Sequence, residues 1–232
     1  MTDLDFDGDY GLQYQTTIRD SIPGYDVLHE IAIASVNNRA QEIRSVLVVG
    51  PGPGEKLISL LNAAPKAGFT VLEPSKQMMQ SCKQFITQYS MSDRCNLKQL
   101  SLEEAIDGPL NHSQFDLVVC HNVLHLFSEQ QQISMLQKLL SVIAKPGALL
   151  LSGFSEPNDQ EALGQLLRIG RQRLINRGVS QDKADSLLAT RNTSVFSMNP
   201  ENISTSLRDL GFHKPLQLYQ GLFAKLWLIT ND

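Results

Sequence analysis

Val46-Leu47-Val48-Val49-Gly50-Pro51-Gly52-Pro53-Gly54, together with the later run Phe69-Thr70-Val71-Leu72-Glu73, decides the fold. An apolar, β-branched run that stops at three alternating glycines reads as a buried parallel strand, opening into a loop whose backbone must approach a ligand closely. Leu57, Ile58, Leu60 and Leu61 then share one side of a helix. Glu73 follows Gly54 by nineteen residues and closes the next strand. In a doubly wound sheet the carboxyl ends of neighbouring strands lie side by side, so an acid there can accept both hydroxyls of a ribose over the glycine loop.

The glycine spacing selects the ligand. A dinucleotide loop reads G-x-G-x-x-G, and counting from Gly50 and Gly52 the third position is Glu55, whose carboxylate would repel a pyrophosphate. The loop here is G-x-G-x-G, and Pro51 and Pro53 remove two N–H donors that a phosphate cradle needs. A P-loop is excluded because no Lys-Ser/Thr pair follows. A ribose-bearing ligand without phosphate fits better. An ordinary strand-to-helix turn needs one glycine, not three with a correctly spaced acid.

These residues, with Phe115-Asp116-Leu117-Val118-Val119-Cys120-His121-Asn122-Val123-Leu124-His125 and Lys145-Pro146-Gly147-Ala148-Leu149-Leu150-Leu151, resemble the successive motifs of the class I S-adenosylmethionine-dependent methyltransferases. The resemblance runs over about residues 20–230. It implies an α/β, Rossmann-like sheet of strand order 3-2-1-4-5-7-6 with strand 7 antiparallel. It also implies S-adenosyl-L-methionine as cofactor and a small-molecule acceptor of the methyl group.

Composition agrees with one globular α/β domain and a small appendage. The chain has 232 residues, 42% hydrophobic and 19% charged, with a net charge of −4. An acidic balance argues against a broad nucleic-acid surface. No apolar run approaches the ~18 residues of a membrane span, and the acidic start Met1-Thr2-Asp3-Leu4-Asp5-Phe6-Asp7 is neither a signal nor a transit peptide. Three scattered cysteines, Cys82, Cys95 and Cys120, suggest a reducing cytoplasm without disulfides. Neither C-x-x-C nor H-E-x-x-H occurs, so no metal is expected. A monomer or a homodimer is expected.

The chain reads as a single domain, 1–232. Residues 1–22 are polar and expected to be loose at the start. A helical pattern runs from Pro23 to Ile43. Strands are expected at 46–49, 69–72, 95–100, 115–119 and 148–153, and helices at 55–63, 75–89 and 129–144, the last opened by the capping-box pair Ser128 and Gln131. Cys82 falls at helical spacing with Met78, Met79, Phe85 and Ile86 and is expected in the core. After Phe154 the alternation breaks. Residues 157–192 read as helices with Arg168, Arg171, Arg173 and Arg177 among them. These arginines form either a solvated face or a clamp for an anionic acceptor or a carboxylate. A helix at 202–210 and two strands, 216–220 and 223–230, joined by a turn too tight for anything but antiparallel pairing, complete the chain. The 1–45 segment and the 157–192 insertion belong at the carboxyl edge of the sheet, where they read as a lid.

The resemblance implies roles residue by residue. Gly50, Pro51 and Gly52 lie against the methionine and ribose of the cofactor, Glu73 takes the ribose hydroxyls and Pro74 flanks the adenine. Ser101 and the Leu102 N–H stand where the superfamily often places an acid for the adenine. Val48 is a second departure from an acidic position. His121 and His125 follow strand 4 beside the transferred methyl. Either can act as a base, or His121 can lend its backbone carbonyl while His125 packs under the lid. Methyl transfer from a sulfonium needs no base in principle, so no catalytic residue is assigned.

Ile22-Pro23-Gly24-Tyr25, the helical insertion and Tyr219-Gln220-Gly221-Leu222-Phe223 are similar to the carboxy-S-adenosylmethionine synthase branch, in which the tyrosine of the P-G-Y motif contacts the cofactor, here Tyr25. That branch also holds the extra carboxylate with an arginine. Its place falls on Ser206, with Arg208 two residues away, so plain S-adenosylmethionine is expected. Two alternatives remain open: carboxy-S-adenosylmethionine synthesis from prephenate, and a protein that binds S-adenosylmethionine without catalysis.

Overall fold

A computed structural model describes residues 4–231. In chain order it forms α1 (Asp9–Ser21), α2 (Tyr25–Arg39), β1 (Ser45–Val49), α3 (Glu55–Ala63), β2 (Gly68–Leu72), α4 (Lys76–Gln88), β3 (Cys95–Lys98), α5 (Leu102–Asp107), β4 (Phe115–His121), α6 (Glu129–Ser141), β5 (Ile143–Phe154), α7 (Gln160–Asn176), α8 (Gln181–Ala189), α9 (Pro200–Asp209), β6 (Leu216–Gly221) and β7 (Ala224–Thr230). The sheet order is β3-β2-β1-β4-β5-β7-β6. β1 to β5 pair in parallel, and β7 runs antiparallel between β5 and β6. The Rossmann-like α/β topology is therefore the one the sequence implies.

Alternation along β1 explains why the sheet is covered on both sides. Leu47 and Val49 face a core shared with Val118, Cys120, Leu139 of α6 and Trp227. Val46 and Val48 face the opposite core, with Leu28 of α2, Leu61 of α3 and Cys82 of α4. A strand buried on both faces has no room for polar alternation. Val48 is 3% exposed, so its departure from an acidic position places it within the core. β1 lies between β2 and β4, with Val49 opposite both Leu72 and Cys120. The next residue on each strand is Gly50, Glu73 and His121. The register thus brings these three to one level, at the point where the crossovers diverge to opposite sides.

Several boundaries differ from the sequence reading. The expectation of loose polar residues at 1–22 is corrected by α1. Phe6, Tyr10 and Tyr14 form a ring cluster with centroids 5.2–6.2 Å apart. With buried Ile18, these residues recur every fourth position and make one helical stripe. Residues 1–3 lie outside the described residues. The helix expected to reach 144 ends at Ser141, and β5 already starts at Ile143, which pairs with Phe115. The short α5 was not foreseen. A capping box opens it: Ser101 Oγ accepts from Glu104 N, and Glu104 Oε2 accepts from Ser101 N. No helix among the described residues is long and apolar enough to cross a membrane.

Candidate active site

The loop after β1 turns through Gly50, Gly52 and Gly54, all at positive φ. Gly54 shows why glycine is required. A Cβ there would sit 2.8 Å from the Cα of Cys82, so α3 could not start where it does against α4. The third glycine thus fixes the packing of α3 on α4. Glu73, 6% exposed, accepts from Gly52 N through Oε2 (3.2 Å) and from Ser75 N through Oε1 (3.1 Å). Burial pushes its carboxyl up to about 7 despite these two bonds, which pull the other way.

A strap crosses this level. Asp7 Oδ1 accepts from Ser75 Oγ and Gln77 N, each at 2.8 Å, which ties the chain before α1 to the start of α4. At the other end of α1, Arg19 bridges Asp26 (3.0 Å) and Glu55 (2.8 Å). Tyr14 lies between these anchors, and a Cβ on Gly52 would meet its ring at 3.5 Å. Glu55 therefore does more than discourage a pyrophosphate, since it anchors α1 to α3. The Pro23-Gly24-Tyr25 turn is pinned from the far edge of the sheet. Tyr219 of β6 donates its hydroxyl to the Pro23 carbonyl (2.7 Å), and a Cβ on Gly24 would lie 2.2 Å from that hydroxyl. Two sequence stretches almost two hundred residues apart meet there.

Tyr25, Gly50, Pro51 and His121 border one small cavity, together with Tyr14, His29, Lys56 and Asn122. His29 and His121 face each other with their Nδ1 atoms 3.3 Å apart, and Tyr25 packs edge-on against His29. Burial pulls His29 down to about 2, with further help from His121 and Lys56, and pulls His121 down to about 4. Both rings are therefore neutral near pH 7. Only one of the facing Nδ1 atoms can carry a hydrogen, so one outward Nε2 is a donor and the other an acceptor. Both Nε2 atoms are buried and have no hydrogen-bond partner among the described residues. His29, Lys56 and Tyr14 were not singled out in the sequence. Nothing in their local pattern distinguishes them from ordinary helix residues.

Pro74 is exposed beside Glu73. Ser101 Oγ already accepts from Glu104 N, and the Leu102 side chain is buried in the core. Ser206 is buried on α9, while Arg208 points to solvent with its side chain 77% exposed. Arg208 is thus not placed as a carboxylate clamp.

A second, larger cleft of about 1100 Å³ of empty space, mouth included, adjoins the first. Asn122 borders both. Ile18 of α1, Leu174 of α7, Leu187 of α8 and Phe154 give it apolar walls. His125, 8% exposed, lines it and accepts from Phe154 N through Nδ1 (3.3 Å). Burial holds His125 near 4. A neutral ring whose Nδ1 accepts must carry its hydrogen on Nε2. The four arginines divide. Arg168 is exposed, Arg171 pairs with Asp185 (2.6 Å), Arg177 pairs with Asp20 (3.1 Å), and Arg173 lines the cleft.

Comparison with known proteins follows the same outline. A sequence profile of the family described as Methyltransferase domain matches residues 46–147, a little under half of the chain. No curated protein matches it by sequence. An O-methyltransferase family protein from Burkholderia thailandensis superposes with a TM-score of 0.64 at 16% identity, over 88% of this chain and 56% of that one. The mitomycin 7-O-methyltransferase MmcR gives 0.59 at 14%, over 87% and 54%. The chain thus spans a little over half the length of these two. Magnesium protoporphyrin IX methyltransferase from Synechocystis, with bound SAH, gives 0.66 at 18%, over 98% of this chain and 96% of that one. At these identities the likeness is one of fold. The chain has the fold of these methyltransferases, and its segment 46–147 matches the methyltransferase domain.

Proposed function

We propose that the protein transfers a methyl group from S-adenosylmethionine to a small-molecule acceptor. The observation that carries this reading is the common level of Gly50, Glu73 and His121. A glycine loop poor in N–H donors, a buried carboxylate and a cavity with orphaned polar atoms adjoin one another there. The residues fit the cofactor. Glu73 has lone pairs for the ribose hydroxyls. The outward Nε2 atoms of His29 and His121, one donor and one acceptor, suit an amino acid that carries both an ammonium and a carboxylate, with Tyr25 and Lys56 beside them.

Bound there, the cofactor supplies a methyl group on an already activated sulfonium. The chain's own residues then have to orient the acceptor and exclude water. The cleft of α1, α7 and α8 meets the cofactor cavity at Asn122, and we assign it to the acceptor. His125 presents an N–H there, so it orients an acceptor as a hydrogen-bond donor and does not remove a proton from it. Plain S-adenosylmethionine remains our reading over the carboxylated form, because Ser206 is buried and Arg208 faces solvent.

Isothermal titration with S-adenosylhomocysteine tests the reading. Binding is expected, with none for NAD. Glu73→Ala should weaken it by about 1–3 kcal/mol, the loss that follows removal of a charged hydrogen-bonding partner. No heat with S-adenosylhomocysteine, or tight NAD binding, would overturn it.

A further inference from the structure

The charges that line the larger cleft do not cancel. Arg191 is neutralised by an ion pair with Glu156. Asp20, the acid nearest Arg173, gives its carboxylate to Arg177. Arg173 itself makes no ion pair among the described residues. It donates from Nη1 to the main-chain carbonyl of Asp20 (2.6 Å) and from Nη2 to that of Arg19 (3.5 Å). Burial first, and then the Arg177 charge, disfavour its charged form, and the smaller opposing pull of Asp20 and Tyr219 does not offset them. A partly buried guanidinium hydrogen-bonded only to carbonyl oxygens, with its one nearby carboxylate shared with Arg177, is left without a counter-ion of its own. The remaining polar groups are donors or neutral. His125 carries its hydrogen on Nε2, and the side-chain oxygen of Asn122 is engaged by Ser152 Oγ (3.4 Å). Thr17, Ser21 and Thr190 add uncharged hydroxyls, and most of the remaining wall is aliphatic and aromatic.

We propose that this cleft selects a small, largely apolar molecule bearing one anionic oxygen group, such as a carboxylate, with Arg173 as its counter-ion. The inference rests on the cleft being the acceptor site and names the class of acceptor. An apolar wall gives affinity without direction, whereas one guanidinium fork fixes which end of the molecule enters first. Arg173 is fixed from behind by two carbonyls of the α1 end, so its orientation does not depend on the ligand. The same two bonds couple anion binding to the closure of α1 on α7. Among the four arginines of this region, the position on α7 explains the division. Gly170, Arg173 and Leu174 border the cleft, whereas Arg171 turns to Asp185 of α8 and Arg177 lies past the helix end.

A matched pair of fluorescent probes separates charge from apolarity: 8-anilinonaphthalene-1-sulfonate and its uncharged counterpart N-phenyl-1-naphthylamine. The native protein is expected to bind the sulfonate at least tenfold more tightly, a difference an unanswered charge in a dry site readily supplies. Arg173→Met should remove that preference and leave the neutral probe's affinity within about twofold. Arg173→Lys should keep most of it, and Arg177→Met should change neither probe. Leu187→Trp, which fills the cleft, should weaken both. Equal affinity of the native protein for the two probes overturns the proposal. So does equal loss of both in Arg173→Met, which would make Arg173 a strut between α1 and α7, and so does indifference of both to Leu187→Trp. S-adenosylhomocysteine titrated in parallel keeps the two readings apart. Cofactor binding without charge preference sinks this inference alone. Charge preference without cofactor binding sinks the methyl-transfer reading and leaves an anion-selective cleft.

Discussion

Glu73 is a carboxylate kept where stability alone would not keep it. Its carboxyl is raised from the usual 4.5 to about 7, and burial is the larger cause. A group that holds its proton more tightly in the folded chain contributes stability at low pH. That contribution is lost as pH rises from about 4.5 through 7. Glu73→Gln should therefore gain on the native protein as pH rises. The shift between pH 4.5 and 8 should be on the order of 2–3 kcal/mol, or roughly 4–10 °C in melting temperature. The same substitution should weaken S-adenosylhomocysteine, since an amide cannot accept from both Gly52 and Ser75 and still serve a ribose. A melting difference that does not move with pH would show that Glu73 is no costlier than a surface acid. The histidine pair behaves in the opposite sense. Rings held near 2 and 4 by burial stay neutral in the fold, so their stability is whole above about 6.5 and falls as the pH is lowered below it. At pH 6, ¹⁵N spectra should show His29 and His121 both neutral, with hydrogen on one of the two facing Nδ1 atoms. An imidazolium signal from either would contradict the arrangement. Glu73 was legible in the sequence because its distance from the glycines is set by one helix and one strand. His29 was not, because its pairing with His121 spans ninety-two residues and depends on where α2 lies on the sheet.

At the scale of elements, we propose that α1 controls access. It lies over Gly52 through Tyr14, it is tied at both ends by side chains of other elements, and it forms one wall of the larger cleft. Glu73 is 6% exposed beneath this arrangement, so the proposed cofactor role requires α1 to move aside. Its polar anchors are individually weak, while Tyr14 and buried Ile18 hold it by apolar contact. Exposed ion pairs such as Arg19–Asp26 contribute at most about 1 kcal/mol each, which suits a segment that opens. Hydrogen exchange in α1, α7 and α8 should be fast without ligand and slowed by S-adenosylhomocysteine, while β1 and β4 stay protected throughout. Unchanged protection of these helices on ligand binding would make them a static cap. α2 behaves differently from the rest of the 1–45 segment. Leu28, Ala32 and Val36 are buried against the sheet, so only its first turns, with Tyr25 and His29, reach the site. The stripe of Phe6, Tyr10, Tyr14 and Ile18 was present in the sequence. It escaped notice because four aromatic and aliphatic residues among polar ones do not raise the local hydropathy of a segment.

For the whole molecule, the sequence by itself determined the sheet. Apolar β-branched runs punctuated by glycine and proline read as buried parallel strands, right-handed crossovers restrict how they can be ordered, and the motif resemblance selects the order 3-2-1-4-5-7-6. The tight turn at Leu222 forces β7 to run antiparallel to β6, and β7 takes the inner place, between β5 and β6. The glycine loop and Glu73 follow from that order alone, because adjacent parallel strands end at one level. The tertiary structure alone decided what surrounds them. It set the facing histidines, the strap across the loop and the sorting of four arginines into two surface pairs, one solvated side chain and one charge in a cleft. These depend on contacts between segments distant in sequence, and a helix face does not encode which neighbour will meet it. Periodicity records that a residue is turned inward. Whether it meets a hydrocarbon wall, a partner ring or an empty cavity is fixed only when the helices settle on the sheet.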